Sequence, residues 1–265
     1  MQLLYVTEFV EYGHPSREAH AAGGGVHGNA IVTWLDVDDA WAFQHQWRMY
    51  PWSTSGPLLR EPRRGARVTM AADIRVPAGA LRNNAQPHDE PVLVCCYSVH
   101  LENFCGMLGR FLQFGEVLDD VMVHHGRDVP LVIGGDLNTL VIGVTRLLPL
   151  LWDAMTFLSV APEAALWKRI WETPRDATFV PVITRVAMAL HGMNPFARTR
   201  WHRGADVVLV DPFHVEQDNT VEELGGVWKA KLDWLLYRGL QCIRAMKGGE
   251  GASDHLWLSM DVYSQ

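Results

Sequence analysis

The run LVIGGDLNTL (residues 131–140) passes from aliphatic residues through two glycines to Asp136 and Asn138, an acid and an amide two positions apart. Three other polar sites interrupt or end apolar stretches in the same way. His100 closes VLVCCYSVHL, Asp233 sits inside KLDWLLY, and Asp254 with His255 precedes the last apolar run in GASDHLWL. Histidine and acidic side chains are the usual carriers of protons in catalysis, and carboxylate oxygens also hold hard cations such as Mg²⁺. Each residue has a plain structural role as well: a strand-end histidine, an Asx turn, an edge-strand acid, and a Ser-Asp turn before a strand. Taken singly, the plain roles are the better readings. Asp233 strains its own, because a charge buried in an apolar strand is costly without a specific partner.

The elements that must position these residues are read from hydrophobic periodicity. Residues 2–10 form a strand pattern, AAGGGVHGN (21–29) a loop, and AIVTWL the next strand. Gly23, Gly24 and Gly25 are read as a flexible loop rather than a phosphate cradle, since no helix follows them. Residues 47–66 are polar and rich in Pro and Gly. They form a loop whose Arg48, Arg60, Arg63 and Arg64 either line a phosphate groove or are solvated. RVTMAADIRV and PVLVCCYSVHL are strands, the second continuous enough to be buried on both faces. Asn103 is placed to cap a helix in which Phe104, Met107, Leu108, Phe111, Leu112, Leu118, Val121 and Met122 keep helical spacing. That helix ends at Gly126, suited to a left-handed cap. His124 and His125 near its end have the look of metal ligands, but we read them as complements to the helix dipole.

Beyond GDLN the chain turns helical over about 140–200, where APEAALWKRIWETP starts at Pro162 and stops at Pro174. ADVVLVDPF, KLDWLLY and HLWLSMDVY return to strands, the last with Leu256, Leu258, Met260 and Val262 on one face. No repeat or linker divides the pattern. The chain is expected to form a single domain over residues 1–265, with a helical insertion at about 140–200.

Composition bounds the function. The chain has 265 residues, 48% hydrophobic and 20% charged, enough to bury a sizeable core. A net charge of −7 argues against a general nucleic-acid coat. Eleven tryptophans point to an aromatic core or an apolar binding surface. No apolar run is long enough for a transmembrane helix, and the first residues lack the basic start of a signal peptide. Cys95 and Cys96, adjacent in an apolar run, read as reduced buried thiols, which places the protein inside the cell, in the cytoplasm.

In this order and with these neighbours, the polar sites resemble the endonuclease/exonuclease/phosphatase superfamily, the DNase I-like fold. GDLN at 135–138 matches its motif letter for letter, and SDH matches at 253–255. His100 matches its strand-end histidine, and Asp233 matches the aspartate of its k-l-D-w/y strand. GNAIVTW (28–34) is similar to its GNAILSR strand, with Thr33 and Trp34 where Ser and Arg are usual.

The resemblance implies an α/β protein, a DNase I-like four-layer α/β/β/α sandwich with mostly antiparallel sheets. It implies a phosphoesterase that uses Mg²⁺, with Mn²⁺ as an alternative, and attacks a phosphodiester or phosphomonoester with activated water. The substrate would be nucleic acid, an inositol phosphate or a phospholipid. On this reading Asp254 is the metal-binding acid, His255 the catalytic histidine, and Asp233 the carboxylate that holds its tautomer. Asp136 orients or deprotonates the water, Asn138 holds a nonbridging phosphate oxygen, and His100 donates to the transition-state phosphoryl. These residues are expected at one end of two packed sheets, with Asp233 roughly 2.6–3.2 Å from the His255 ring.

Two features of that superfamily are missing. Its members begin with a strand ending in Asn and a strand ending in Gln-Glu, whose glutamate is a principal Mg²⁺ ligand. Glu8 and Glu11 instead lie in a stretch that resembles the segment after the Gln-Glu strand. The chain is therefore expected to lack the first two strands, with weakened Mg²⁺ affinity, an exposed sheet edge and marginal stability. The rival reading is a non-catalytic relative that acts as a binding or interaction protein.

Overall fold

A computed structural model describes residues 1–11, 26–47, 63–81, 90–102, 105–126, 129–139, 163–172, 208–215, 217–223, 228–249 and 253–264. Glycines 23–25, the loop arginines Arg48 and Arg60, Asn103 and most of the 140–200 block lie outside them. The described strands are β1 (Gln2–Glu11), β2 (Val26–Thr33), β3 (Asp36–Gln44), β4 (Arg63–Gly65), β5 (Val68–Val76), β6 (Val92–His100), β7 (Leu131–Asp136), β8 (Val221–Glu223), β9 (Trp228–Ala230), β10 (Asp233–Arg238), β11 (Leu240–Gly248) and β12 (Trp257–Ser264). The helices are α1 (Ala78–Leu81), α2 (Gly106–His124) and α3 (Glu163–Glu172).

The main sheet has the order β10-β7-β6-β5-β3. Only β6 and β7 run parallel in it; its other pairs are antiparallel. A parallel neighbour requires a crossover, and α2 lies between β6 and β7 in sequence. β2-β1-β4 form a second sheet, β11-β12 a hairpin, and β8-β9 a short ladder. The fold is thus a sheet-dominated α/β arrangement with mixed and antiparallel sheets, as expected.

Period-two alternation buries both faces of the main sheet. Cys95, Tyr97 and Val99 of β6, Leu131 and Ile133 of β7, and Trp234 and Leu236 of β10 share one core with Phe111, Phe114, Leu118 and Val121 of α2 and Trp167 and Trp171 of α3. On the other face Val94, Cys96, Val132 and Tyr237 pack with Leu81 of α1 and with Leu240, Cys242, Met260 and Val262 of the β11-β12 hairpin. Aromatic edges and faces join the helices: Phe111 stacks on Trp171 at 5.3 Å, and Phe114 meets Trp167 edge-on. Replacing a large buried aromatic such as Phe114 by Ala costs about 3–5 kcal/mol.

Three expectations change. α2 begins at Gly106, preceded by Cys105, which makes no side-chain cap bond. ADVVLVDPF is no strand in its described part; Val210 makes an isolated bridge to Tyr237. β3 and β11 were not anticipated, because DVDDAWAFQ and LQCIRAMKG expose much of their length and lack a clean apolar alternation. Gly126 has φ +61, in keeping with the left-handed cap. All four cysteines are free thiols. No helix among the described residues is long and apolar enough to cross a membrane.

Candidate active site

The ends of three neighbouring strands bring three of the polar residues into one row. His100 pairs with Asp136 across the parallel β6-β7 ladder, and Asp233 pairs with Asp136 across the antiparallel β10-β7 ladder. In open α/β sheets, ligands collect at the carboxyl ends of parallel strands, and that is where His100 and Asp136 stand. Gly135 makes this row possible. It takes φ +143, and a Cβ there would lie 1.9 Å from the Val99 carbonyl oxygen of the neighbouring strand.

Asp136 and Asn138 form an Asx turn. The Asn138 N–H donates to Asp136 Oδ1 at 2.8 Å, and Asn138 takes φ 52, a conformation that Asn tolerates. The Asn138 side chain is buried and donates through Nδ2 to the Leu101 carbonyl at 2.9 Å. One amide N–H is thereby committed to the scaffold. Asp136 Oδ2 lies 3.8 Å from His100 Nε2, near enough for one water to touch both. Burial pushes the Asp136 carboxyl above its usual range, and Asp233 adds to that; the His100 charge and the Asn138 N–H pull the other way.

His255 closes the row. Its Nδ1 donates to Asp233 Oδ2 at 2.8 Å, across 22 residues of sequence. That hydrogen bond, stronger here than the opposing effect of burial, raises the imidazole pKa to about 9. Thr220, fully buried, fixes both partners. Its hydroxyl oxygen accepts the N–H groups of Leu232 and Asp233 at 2.9 and 3.0 Å, and its carbonyl accepts from Leu256 N at 2.7 Å.

His100 has a carboxylate partner that sequence reading assigned no role, Glu8. His100 Nδ1 donates to Glu8 Oε2 at 2.8 Å, 92 residues away in sequence. Arg67 Nη1 reaches Glu8 Oε1 at 3.2 Å and lies 2.7 Å from both ring nitrogens of His100, while Nη2 faces Glu102 at 3.6 Å. With Nδ1 committed to Glu8, Nε2 is the His100 nitrogen open to Arg67 or to a ligand. Burial would raise the Glu8 carboxyl, but the His100 hydrogen bond and the Arg67 charge outweigh it and hold the group below its usual range. The signal for Glu8 was available: it is an acid within the apolar run LLYVTEFV, the same oddity that singled out Asp233.

Asp254 stands apart from these pairs. It is exposed, and its Oδ1 is 3.5 Å from Ser253 Oγ. Among the described residues, no three His, Cys, Asp or Glu ligand atoms gather at this end of the sheet. The described residues alone therefore form no cage here. A single exposed carboxylate does fit Mg²⁺, which keeps several waters and takes its remaining oxygens from substrate phosphate.

No protein-family model matches the sequence, and neither does any curated protein. Solved structures similar to this chain include an endonuclease/exonuclease/phosphatase from Bacteroides vulgatus, 12% identical with a TM-score of 0.48, over 99% of this chain and 77% of that one. The human nocturnin catalytic domain with bound sulfate is similar at 12% identity and a TM-score of 0.47, over 100% and 72%. An endonuclease/exonuclease/phosphatase family protein from Bacteroides thetaiotaomicron is similar at 11% and 0.44, over 98% and 73%.

Proposed function

We propose that this chain is a metal-assisted phosphoesterase of the endonuclease/exonuclease/phosphatase kind, hydrolysing a phosphodiester or phosphomonoester with water. The observation that carries the proposal is the row His100, Asp136, Asp233 with His255 hydrogen-bonded to Asp233. Asp136, made more basic by burial, takes a proton from a water held between itself and His100. The water oxygen forms the new bond to phosphorus as the ester P–O bond breaks. His255, an imidazolium at neutral pH, gives its Nε2 proton to the departing oxygen while Asp233 holds Nδ1. Asn138 steadies the Asp136 turn and offers its second amide N–H to a phosphate oxygen. Mg²⁺, held by Asp254 and by substrate phosphate, would neutralise charge on the phosphate when bound.

Nucleic acid, inositol phosphates and phospholipid are the substrate classes, and the free thiols support an intracellular, cytoplasmic setting. The test is a panel of plasmid DNA, single-stranded RNA, inositol phosphates and sphingomyelin with Mg²⁺, with and without excess chelator. Turnover of one class that stops in chelator is expected. Undiminished turnover in chelator would overturn the metal assignment, and binding without turnover would favour a non-catalytic relative.

A further inference from the structure

A second cluster of ligating groups lies under the C-terminal end of α2, away from the catalytic row. Asp73 of β5 is paired in register with Cys95 of β6, and His125 follows the last turn of α2. One ligand atom from each, a carboxylate oxygen, the Cys95 Sγ and an imidazole nitrogen, lie within 4.8 Å of one another. Cys95 precedes His100 by five residues on the same strand, about 16 Å at the rise of a β-strand, so the two sites are distinct.

The surroundings suit a cation. The side chains of Asp73 and His125 are each only 9% exposed. Asp73 Oδ1 and His125 Nε2 approach to 3.1 Å, yet out of line for a hydrogen bond, and neither atom has a hydrogen-bond partner among the described residues. The two atoms face each other as an ion pair that completes no hydrogen bond. Buried polar atoms are nearly always hydrogen-bonded, so the pair has ligating capacity to spare for a shared cation. Their separation is near the roughly 3.3 Å edge of a tetrahedron built on metal bonds of about 2.0 Å. Asp39, which pairs with Asp73 across the β3-β5 ladder, adds negative charge. The Trp41 ring lies beside the His125 ring, 5.6 Å away.

We propose that Asp73, Cys95 and His125 bind a transition-metal ion of the zinc class, with a water as fourth ligand, fastening the end of α2 to the main sheet. Thiolate and imidazole select Zn²⁺ and its neighbours, whereas Mg²⁺ and Ca²⁺ take oxygen. Binding deprotonates the Cys95 thiol and releases that proton to solvent. The site is independent of the phosphoesterase proposal, since it shares no residue with the catalytic row.

Cobalt(II) serves as the probe. Added to the reduced, metal-stripped full chain, Co²⁺ should produce a thiolate-to-cobalt charge-transfer band that saturates near one equivalent. X-ray absorption of that species should show one sulfur neighbour at about 2.3 Å. Cys95→Ser should abolish the band, His125→Ala should weaken Co²⁺ binding at least ten-fold, and Cys242→Ala should leave the signal unchanged. A wild-type protein with no sulfur-to-cobalt band, or a band that survives in Cys95→Ser, overturns the proposal. The X-ray measurement is made on the wild type, so the outcome stands even where a variant fails to fold.

Discussion

His255 and His100 each meet a carboxylate through Nδ1 at 2.8 Å, and their side chains are similarly open, at 26% and 29% exposure. Their acids differ. Asp233 is part-exposed at the strand end, its backbone N–H fastened by Thr220, and its carboxylate has one imidazole partner. Glu8 is wholly buried and divided between His100 and Arg67, which in turn reaches Glu102 and lies 5.6 Å from the Phe9 ring. A dedicated acid lets His255 keep a proton near neutral pH. A shared, buried acid ties β1 to the end of β6 and to the segment before β5. On the proposed function, a carboxylate-imidazole pair thus serves proton transfer at one end of the row and chiefly holds the elements together at the other.

The sharpest way to break this comparison is to remove each histidine. His255→Asn should lower kcat by about 10²–10⁴-fold with the fold retained, as loss of a general acid does; His100→Asn should cost less. Equal losses in steady-state assays would erase the distinction. Arg67→Met tests the architectural half. Removing one partner of a buried ion pair costs about 3–5 kcal/mol, so urea unfolding should show a large loss of stability, and Asp233→Asn a smaller one.

Dependence on pH separates the pairs by sign. The His255 pKa is raised from 6.5 to about 9, so its contribution to stability is fully present below pH 6.5 and is lost as pH rises through 9. Glu8 is lowered from 4.5, so its contribution is present above that pH and is lost as pH falls through its lower folded value. Melting temperatures across pH should show both limbs. His255→Asn should flatten only the alkaline limb, and Glu8→Gln only the acid limb. The alkaline limb should also appear in kcat/KM, which falls as the imidazolium loses its proton. The smallest effect is expected from Thr220→Val, which leaves the Leu232 and Asp233 N–H groups without their acceptor. That costs about 1–3 kcal/mol and should lower kcat more than it changes KM.

Asp136, Asp233 and His255 stood out in the sequence as candidates because each is a polar exception beside an apolar run. They lie at the end of β7, at the start of β10 and just before β12, where a sheet meets solvent. Strands β5, β6, β7, β10 and β12 were legible for the complementary reason, their apolar runs. Edge strands β3 and β11 were not, since an edge with one wet face tolerates Asp38, Asp39 and Arg244 and so mimics a loop. The partner of Glu8 was hidden by distance: nothing local links residue 8 to residue 100, and only the approach of the β2-β1-β4 sheet to the main sheet brings them together. At Asp136 and Asn138 the plain turn is present, and the proposed catalytic role makes use of it rather than competing with it. The Asx turn is what aims Asp136 along the row.

The central claim is that Asp233 and His255 act as one unit in phosphate-ester hydrolysis, and a double-mutant cycle tests it most directly. Turnover of the best substrate from the panel would be measured for wild type, Asp233→Asn, His255→Asn and the double variant. Groups that act together are strongly non-additive, so the double variant should be no slower than His255→Asn alone. Losses that multiply, or a wild-type rate in either single variant, would contradict the account.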